Sequence, residues 1–132
     1  MESSEYNSRL VNAADRLRKA HLEYETRIRD HVTAERLYKL GESIALLQVD
    51  GKNQQERSAR AEVELVTLTD LEEKVMPNQL RYAAHLAEGL RDSAKKAVDS
   101  YRQEMSALQS LASLAKSEAE LAKWEPRESA PV

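Results

Sequence analysis

The chain has 132 residues, with 20 basic and 23 acidic side chains for a formal charge of −3, which is the size of one ordinary domain. It contains no cysteine, so disulfides and thiolate metal sites are excluded. Three Gly, three Pro, one Trp and no Phe stand against many Ala, Leu, Glu, Lys and Arg residues, a balance that favours long, closely packed helices over a thick globular core.

No apolar stretch approaches the roughly 20 residues that span a bilayer, and the opening MESSEYNSRL lacks the apolar core of a signal peptide. The expectation is a cytoplasmic protein with no membrane partner. The acidic total gives no general attraction to nucleic acid, so a nucleic-acid surface has to come from local sorting of charge or from repetition in an oligomer.

The first helix is predicted from about residue 4 to residue 50. Leu10, Ala13, Leu17, Ala20 and Tyr24 follow a 3-4-3-4 spacing on one stripe. Ile28 and Val32 continue it in steps of four, and Leu37, Leu40, Ile44 and Leu47 resume on a rotated face. Such a helix is roughly 69 Å long at 1.5 Å per residue, which predicts another chain alongside. Gly41 is its internal weak point.

The stretch LLQVDGKNQQERSARAEVEL (residues 46–65) forms the connector. Gly51 suits a left-handed helix stop, and Asn53 followed by Glu56 reads as a capping pair. A short helix is predicted over 54–67, burying Ala59, Val63 and Val66. The alternation of Ala59, Ala61, Val63 and Leu65 also fits a strand, but no pairing segment is evident, so helix is preferred.

Thr69-Asp70 opens a further helical segment, with Glu72 and Glu73 near its positive end, and Pro77 kinks or restarts it. From there to about residue 123 a second long helix is predicted. Leu80, Ala83, Ala87, Leu90, Ala94, Ala97 and Tyr101 keep a heptad rhythm, extended by Met105, Leu108, Leu111 and Ala115. Residues 124–132 read as a flexible tail. Ser106, Ser110, Ser113 and Ser117 form another stripe, either a solvent face or a second close-packing surface.

The predicted fold is all-α: two long antiparallel helices joined by a shorter helical middle segment, coiled-coil-like and assembled into a homo-oligomer. Candidate oligomer-interface residues are Leu10, Leu17, Tyr24, Leu80, Ala87, Leu90, Ala94, Tyr101 and Leu108.

No catalytic constellation is visible, and no cofactor or small-molecule substrate is implied. His21, His31 and His85 are never three or four residues apart, so no helical His pair shares a metal; His31 with Glu35, and His85 with Glu88, read as surface pairs. The GKN triplet lacks the remaining elements of a phosphate-binding loop. Arg9, Arg16 and Arg27 on one flank of the first helix read as salt-bridge partners. Lys52, Arg57 and Arg60 cluster at a helix start, where amides and cations together can hold a phosphate. The competing reading is a solvated, capped turn.

The sequence from ESIALLQVDGKN through GKNQQERSARA to YRQEMSALQSLASLAKSE, roughly residues 34–118, resembles small phage-encoded helical proteins associated with recombination, which are loosely similar to UvsY-type recombination mediators. The most specific element is Gly51-Lys52-Asn53 followed by Arg57 and Ala59. The resemblance implies a self-assembling phage recombination or replication accessory in the bacterial host cytoplasm. It would bind single-stranded DNA without sequence preference and act with a recombinase or single-strand-binding protein. Lys52 and Arg57 are the backbone-contact candidates it implies, and Arg60 joins them by proximity alone. The alternative is a non-enzymatic protein-interaction module, such as an assembly chaperone or an inhibitor of a host defence protein, with no nucleic-acid binding.

Overall fold

The computed structural model describes residues 3–69, 71 and 73–128. Three helices and one two-stranded ribbon appear in the order α1 (Ser3–Gln48), α2 (Gln54–Glu62), β1 (Val66–Thr67), β2 (Lys74–Val75) and α3 (Pro77–Glu128). The chain divides into two compact units, residues 1–22 with 95–132 and residues 23–94. Both long helices contribute a segment to each. Among the described residues, no helix is long and apolar enough to cross a membrane.

In the first unit, Ala13, Ala20 and Val98 are buried. Arg16 pairs with Glu104, Arg102 Nη2 lies 3.5 Å from His21 Nε2, and Tyr6 and Asn7 share a cleft with Ala112 and Ala119. Numbers fall along α1 as they rise along α3, so the two segments run antiparallel. Small residues at the contact let the backbones approach closely.

The second unit holds the main core. Ala45 of α1, Ala61 of α2, Val66 of β1, Leu68 and Leu80 of α3 form one buried cluster, with Leu37, Tyr38, Ile44, Leu46, Val49, Leu71 and Val75 packed against it. Gly41 is buried and sits against Leu80 and Val66; a Cβ there would come within 2.6 Å of Leu80 Cδ1. His31 of α1 meets Arg91 of α3, so these segments are antiparallel too. Gly41 does not break α1, because a close packing contact accounts for it.

The middle segment differs from the sequence expectation. The short helix ends at Glu62 rather than at 67, and the next residues turn into a strand. Val66 pairs with Val75 and Thr67 with Lys74 in an antiparallel ladder. The period-two pattern that matters runs over Leu65–Thr69, where Val66 and Leu68 are buried while Leu65, Thr67 and Thr69 are exposed. The missing pairing partner is Lys74–Val75, a stretch read from sequence as helix. Of the three residues expected inside, Val66 is buried, Ala59 is exposed and Val63 is 61% exposed; Ala61 takes the core position instead.

A helix opening at residue 70 is not formed, since Lys74–Val75 is strand; Asp70 and Glu72 lie outside the described residues. Pro77 begins α3 and is almost fully buried. At the first helical position its missing N–H costs nothing, because that donor has no intrahelical acceptor anyway. The third helix continues to Glu128, past the end placed at 123, and residues 129–132 of the expected tail lie outside the described residues.

Candidate functional site

The connector between α1 and α2 is built almost entirely from side-chain-to-backbone bonds. Asn53 is the N-cap of α2, in extended backbone with φ −148° and ψ 173°, and its Oδ1 accepts from the Glu56 amide at 2.8 Å. The Glu56 carboxylate reaches back and accepts from the Lys52 amide at 3.1 Å. This is the reciprocal arrangement the Asn-x-x-Glu spacing predicts, displaced by one residue because the amide satisfied is that of Lys52.

No described glycine has positive φ, so Gly51 is not the left-handed stop expected of it. Its role is steric. A Cβ at Gly51 would lie 2.6 Å from Arg57 Cγ and 2.9 Å from the Arg57 backbone nitrogen. The first turn of α2 packs directly on that backbone, and only a hydrogen fits between them.

The three cations proposed for DNA contact have unequal surroundings. Arg57 Nη2 donates to the Leu46 carbonyl oxygen at 3.1 Å. Arg60 Nη1 donates to the Asp50 carbonyl oxygen at 2.9 Å, and its Nη2 is 2.9 Å from Glu56 Oε1. Arg57 therefore holds a carbonyl in the last turn of α1, where helix-end acceptors have no amide partner, and Arg60 holds one in the connector that follows. Lys52 differs: its exposed ammonium has no bonding partner among the described residues.

The interface candidates are largely covered by their own chain. Leu80 and Ala94 are buried, and Leu10, Leu17, Tyr24, Ala87, Tyr101 and Leu108 are half-buried. Leu90 is exposed. On the charged flank of α1, Arg16 bridges to Glu104 and Arg27 pairs along the helix with Glu23 at 2.7 Å.

His31 is not the surface residue its spacing implied. It is buried, its Nδ1 is 2.9 Å from Arg91 Nη1, and its Nε2 is 3.6 Å from Glu35 Oε1. A guanidinium can only donate, so Nδ1 accepts and the ring proton of the neutral imidazole sits on Nε2, towards Glu35. The helical period could have revealed this, since His31 falls on the same stripe as Tyr24, Tyr38 and Ala45. Among the described residues, no three His, Asp or Glu side chains are placed to hold a metal ion.

The feature missed from sequence is the exposed apolar surface of the second unit. At the connector end, Leu47 is 87%, Val63 61% and Leu65 54% exposed; on α3, Tyr82 is 72% and Leu86 54% exposed. The last two, with Leu90, stand at four-residue steps and form one row away from the seam marked by Leu80, Ala84 and Ala94. No protein-family model matches the chain, and comparison with curated proteins and with solved structures gives no match either.

Proposed function

We propose that the protein is a non-enzymatic helical interaction module that works through the exposed apolar side chains of its second unit. The supporting observation is their arrangement. Single exposed leucines are ordinary on any surface, but an aligned row on one helix face is the pattern of a surface covered by another protein. Assembly chaperones and inhibitors of defence proteins belong to this class, and neither needs a reactive group.

Single-stranded DNA binding by a phage recombination accessory is the second reading. It is favoured by Lys52, exposed just before the N-cap of α2 and without a partner among the described residues. It is weakened by the engagement of Arg57 and Arg60 with backbone carbonyls, which leaves only Lys52 of the three candidate cations without a partner among the described residues, where a backbone-tracking groove needs several.

Two measurements separate the readings. A photo-crosslinking residue at position 82 or 65, introduced in the native host cell, is expected to yield adducts with a discrete polypeptide. The purified protein is expected to leave the fluorescence anisotropy of unstructured single-stranded DNA unchanged at low salt. Absence of any protein adduct, together with salt-sensitive DNA binding that Lys52→Glu abolishes in a folded protein, would overturn the interaction reading in favour of the DNA reading.

A further inference from the structure

Asp50-Gly51 is the one Asp-Gly pair in the sequence, and it lies outside regular structure, between α1 and α2. The Asp50 side chain is exposed and has no partner among the described residues. It lines an open cleft of about 320 Å³ together with Arg60 and Glu64, so water reaches it. The Gly51 amide has no acceptor among the described residues, and glycine puts no side chain in the way of its nitrogen. The carbonyl oxygen of this same peptide bond accepts from Arg60 Nη1 at 2.9 Å. An amide that gives up its proton spreads negative charge onto its carbonyl oxygen. A guanidinium placed there stabilises that charge and makes the nitrogen a better nucleophile.

We infer that Asp50-Gly51 is a site of self-modification, at which Arg60 promotes conversion of Asp50 to isoaspartate. The Gly51 nitrogen attacks Asp50 Cγ. A C–N bond forms, a carboxyl C–O bond breaks, and the hydroxyl leaves with the amide proton as water. A second water then opens the five-membered imide. Attack at the former main-chain carbonyl, the one that Arg60 polarises, frees its carbon as a carboxylate and routes the main chain through Cβ and Cγ. One water is lost and one regained, so the mass is unchanged and no oxidant or cofactor is required. The new carboxylate arises beside Arg60, where a charge-assisted pair replaces a bond to a neutral carbonyl.

Asp92-Ser93 and Asp99-Ser100 lack this combination. Both lie inside α3, where the following amide is tied to a carbonyl four residues back. At the connector the change has a structural consequence. Isoaspartate lengthens the main chain by one carbon next to Gly51, whose backbone leaves room for only a hydrogen against Arg57. The start of α2 has to shift, and the bond from the Lys52 amide to Glu56 loosens. The inference stands apart from the interaction-module reading, and neither depends on the other.

Ageing the full chain in oxygen-18 water at physiological temperature, followed by tryptic mapping, tests the inference. Cleavage after Lys39 and Lys52 isolates residues 40–52, which contain Asp50 as their only aspartate. That peptide is expected to acquire the heavy oxygen and to show isoaspartate by electron-transfer fragmentation, while Asp92 and Asp99 stay unlabelled. Arg60→Met is expected to slow the conversion about threefold or more, a modest factor because the Arg60 side chain is 56% exposed. Asn53→Ala, which loosens the start of α2 without touching the Asp50 carbonyl, is expected not to slow it. Circular dichroism checks that both variants remain helical. A 40–52 peptide that stays unmodified overturns the inference, as does an Arg60→Met chain that converts as fast as the wild type. Equal slowing in Asn53→Ala also overturns it, because Arg60 would then act only by holding the connector together.

Discussion

The Arg57 guanidinium donates to the Leu46 carbonyl oxygen at 3.1 Å, so a side chain of α2 closes the C-terminal end of α1. The last turn of α1 contains no basic residue of its own, and the cation that meets its carbonyl dipoles comes from the next helix. Arg57→Ala is expected to lower stability by about 1 kcal/mol, the lower end for a charged hydrogen bond because the side chain is exposed. Arg57→Lys recovers part of it, since an ammonium lacks the guanidinium's fork. Urea unfolding midpoints measure both, and an unchanged midpoint for the alanine variant would show that the bond contributes nothing in solution.

Two glycines give a contrast that tests the same junction. A Cβ at Gly51 meets the Arg57 backbone at 2.9 Å, whereas at Gly41 its closest contact is the tip of the Leu80 side chain at 2.6 Å. A side chain can rotate away; a helix backbone has to move as a body. Both alanine substitutions destabilise, at about 1–3 kcal/mol for overpacking, with Gly51→Ala the costlier. Thermal melts of the pair decide the order. The reverse ranking would mean that the Leu80 pocket, and not the connector, is the rigid part.

Asn53 satisfies the Glu56 amide at 2.8 Å. The helix it caps has only nine residues, too short to persist without its cap and its packing. Asn53→Ala is expected to cost about 1 kcal/mol and Asn53→Ser much less, because serine offers an equivalent acceptor. Amide hydrogen exchange reports it locally: the Glu56 amide should lose protection in the alanine variant, and retained protection would contradict the cap.

The parts of the molecule legible in sequence are those governed by local chemistry. The two long helices follow from their spacing, and the Asn53–Glu56 cap from a two-residue signature. The ribbon was not legible, because Val66 and Lys74–Val75 become strands only through each other and through burial of Val66 and Leu68 beside Ala45 and Leu80. Composition could not disclose that Arg57 and Arg60 are held by carbonyls, since a basic cluster at a helix start looks the same whether it faces solvent or the previous helix. The exposed row of Tyr82, Leu86 and Leu90 was obscured by an apolar periodicity broad enough to feed two faces, only one of which the chain itself covers.

Tyr38 gives a prediction read directly from pH. Its hydroxyl donates to Glu62 Oε1 at 3.4 Å, and Glu62 Oε2 is itself 3.3 Å from Arg81 Nη2. Burial first, then a hydrogen bond with Glu42 and the negative charges of Glu42 and Glu62, push the phenol up to about 12 from an ordinary 10.0, with Arg81 opposing. The neutral phenol is therefore the form the fold prefers. Below pH 10 both states keep the proton and the contribution to stability is complete. Between pH 10 and about 12 the unfolded chain loses its proton first, so the contribution falls as pH rises through that window. Ultraviolet titration of tyrosinate should show a late ionisation towards pH 12, and Tyr38→Phe should remove that late step and flatten the stability slope it causes. If the late step survives in Tyr38→Phe, another tyrosine carries it and the Tyr38–Glu62 contact does not hold the phenol neutral.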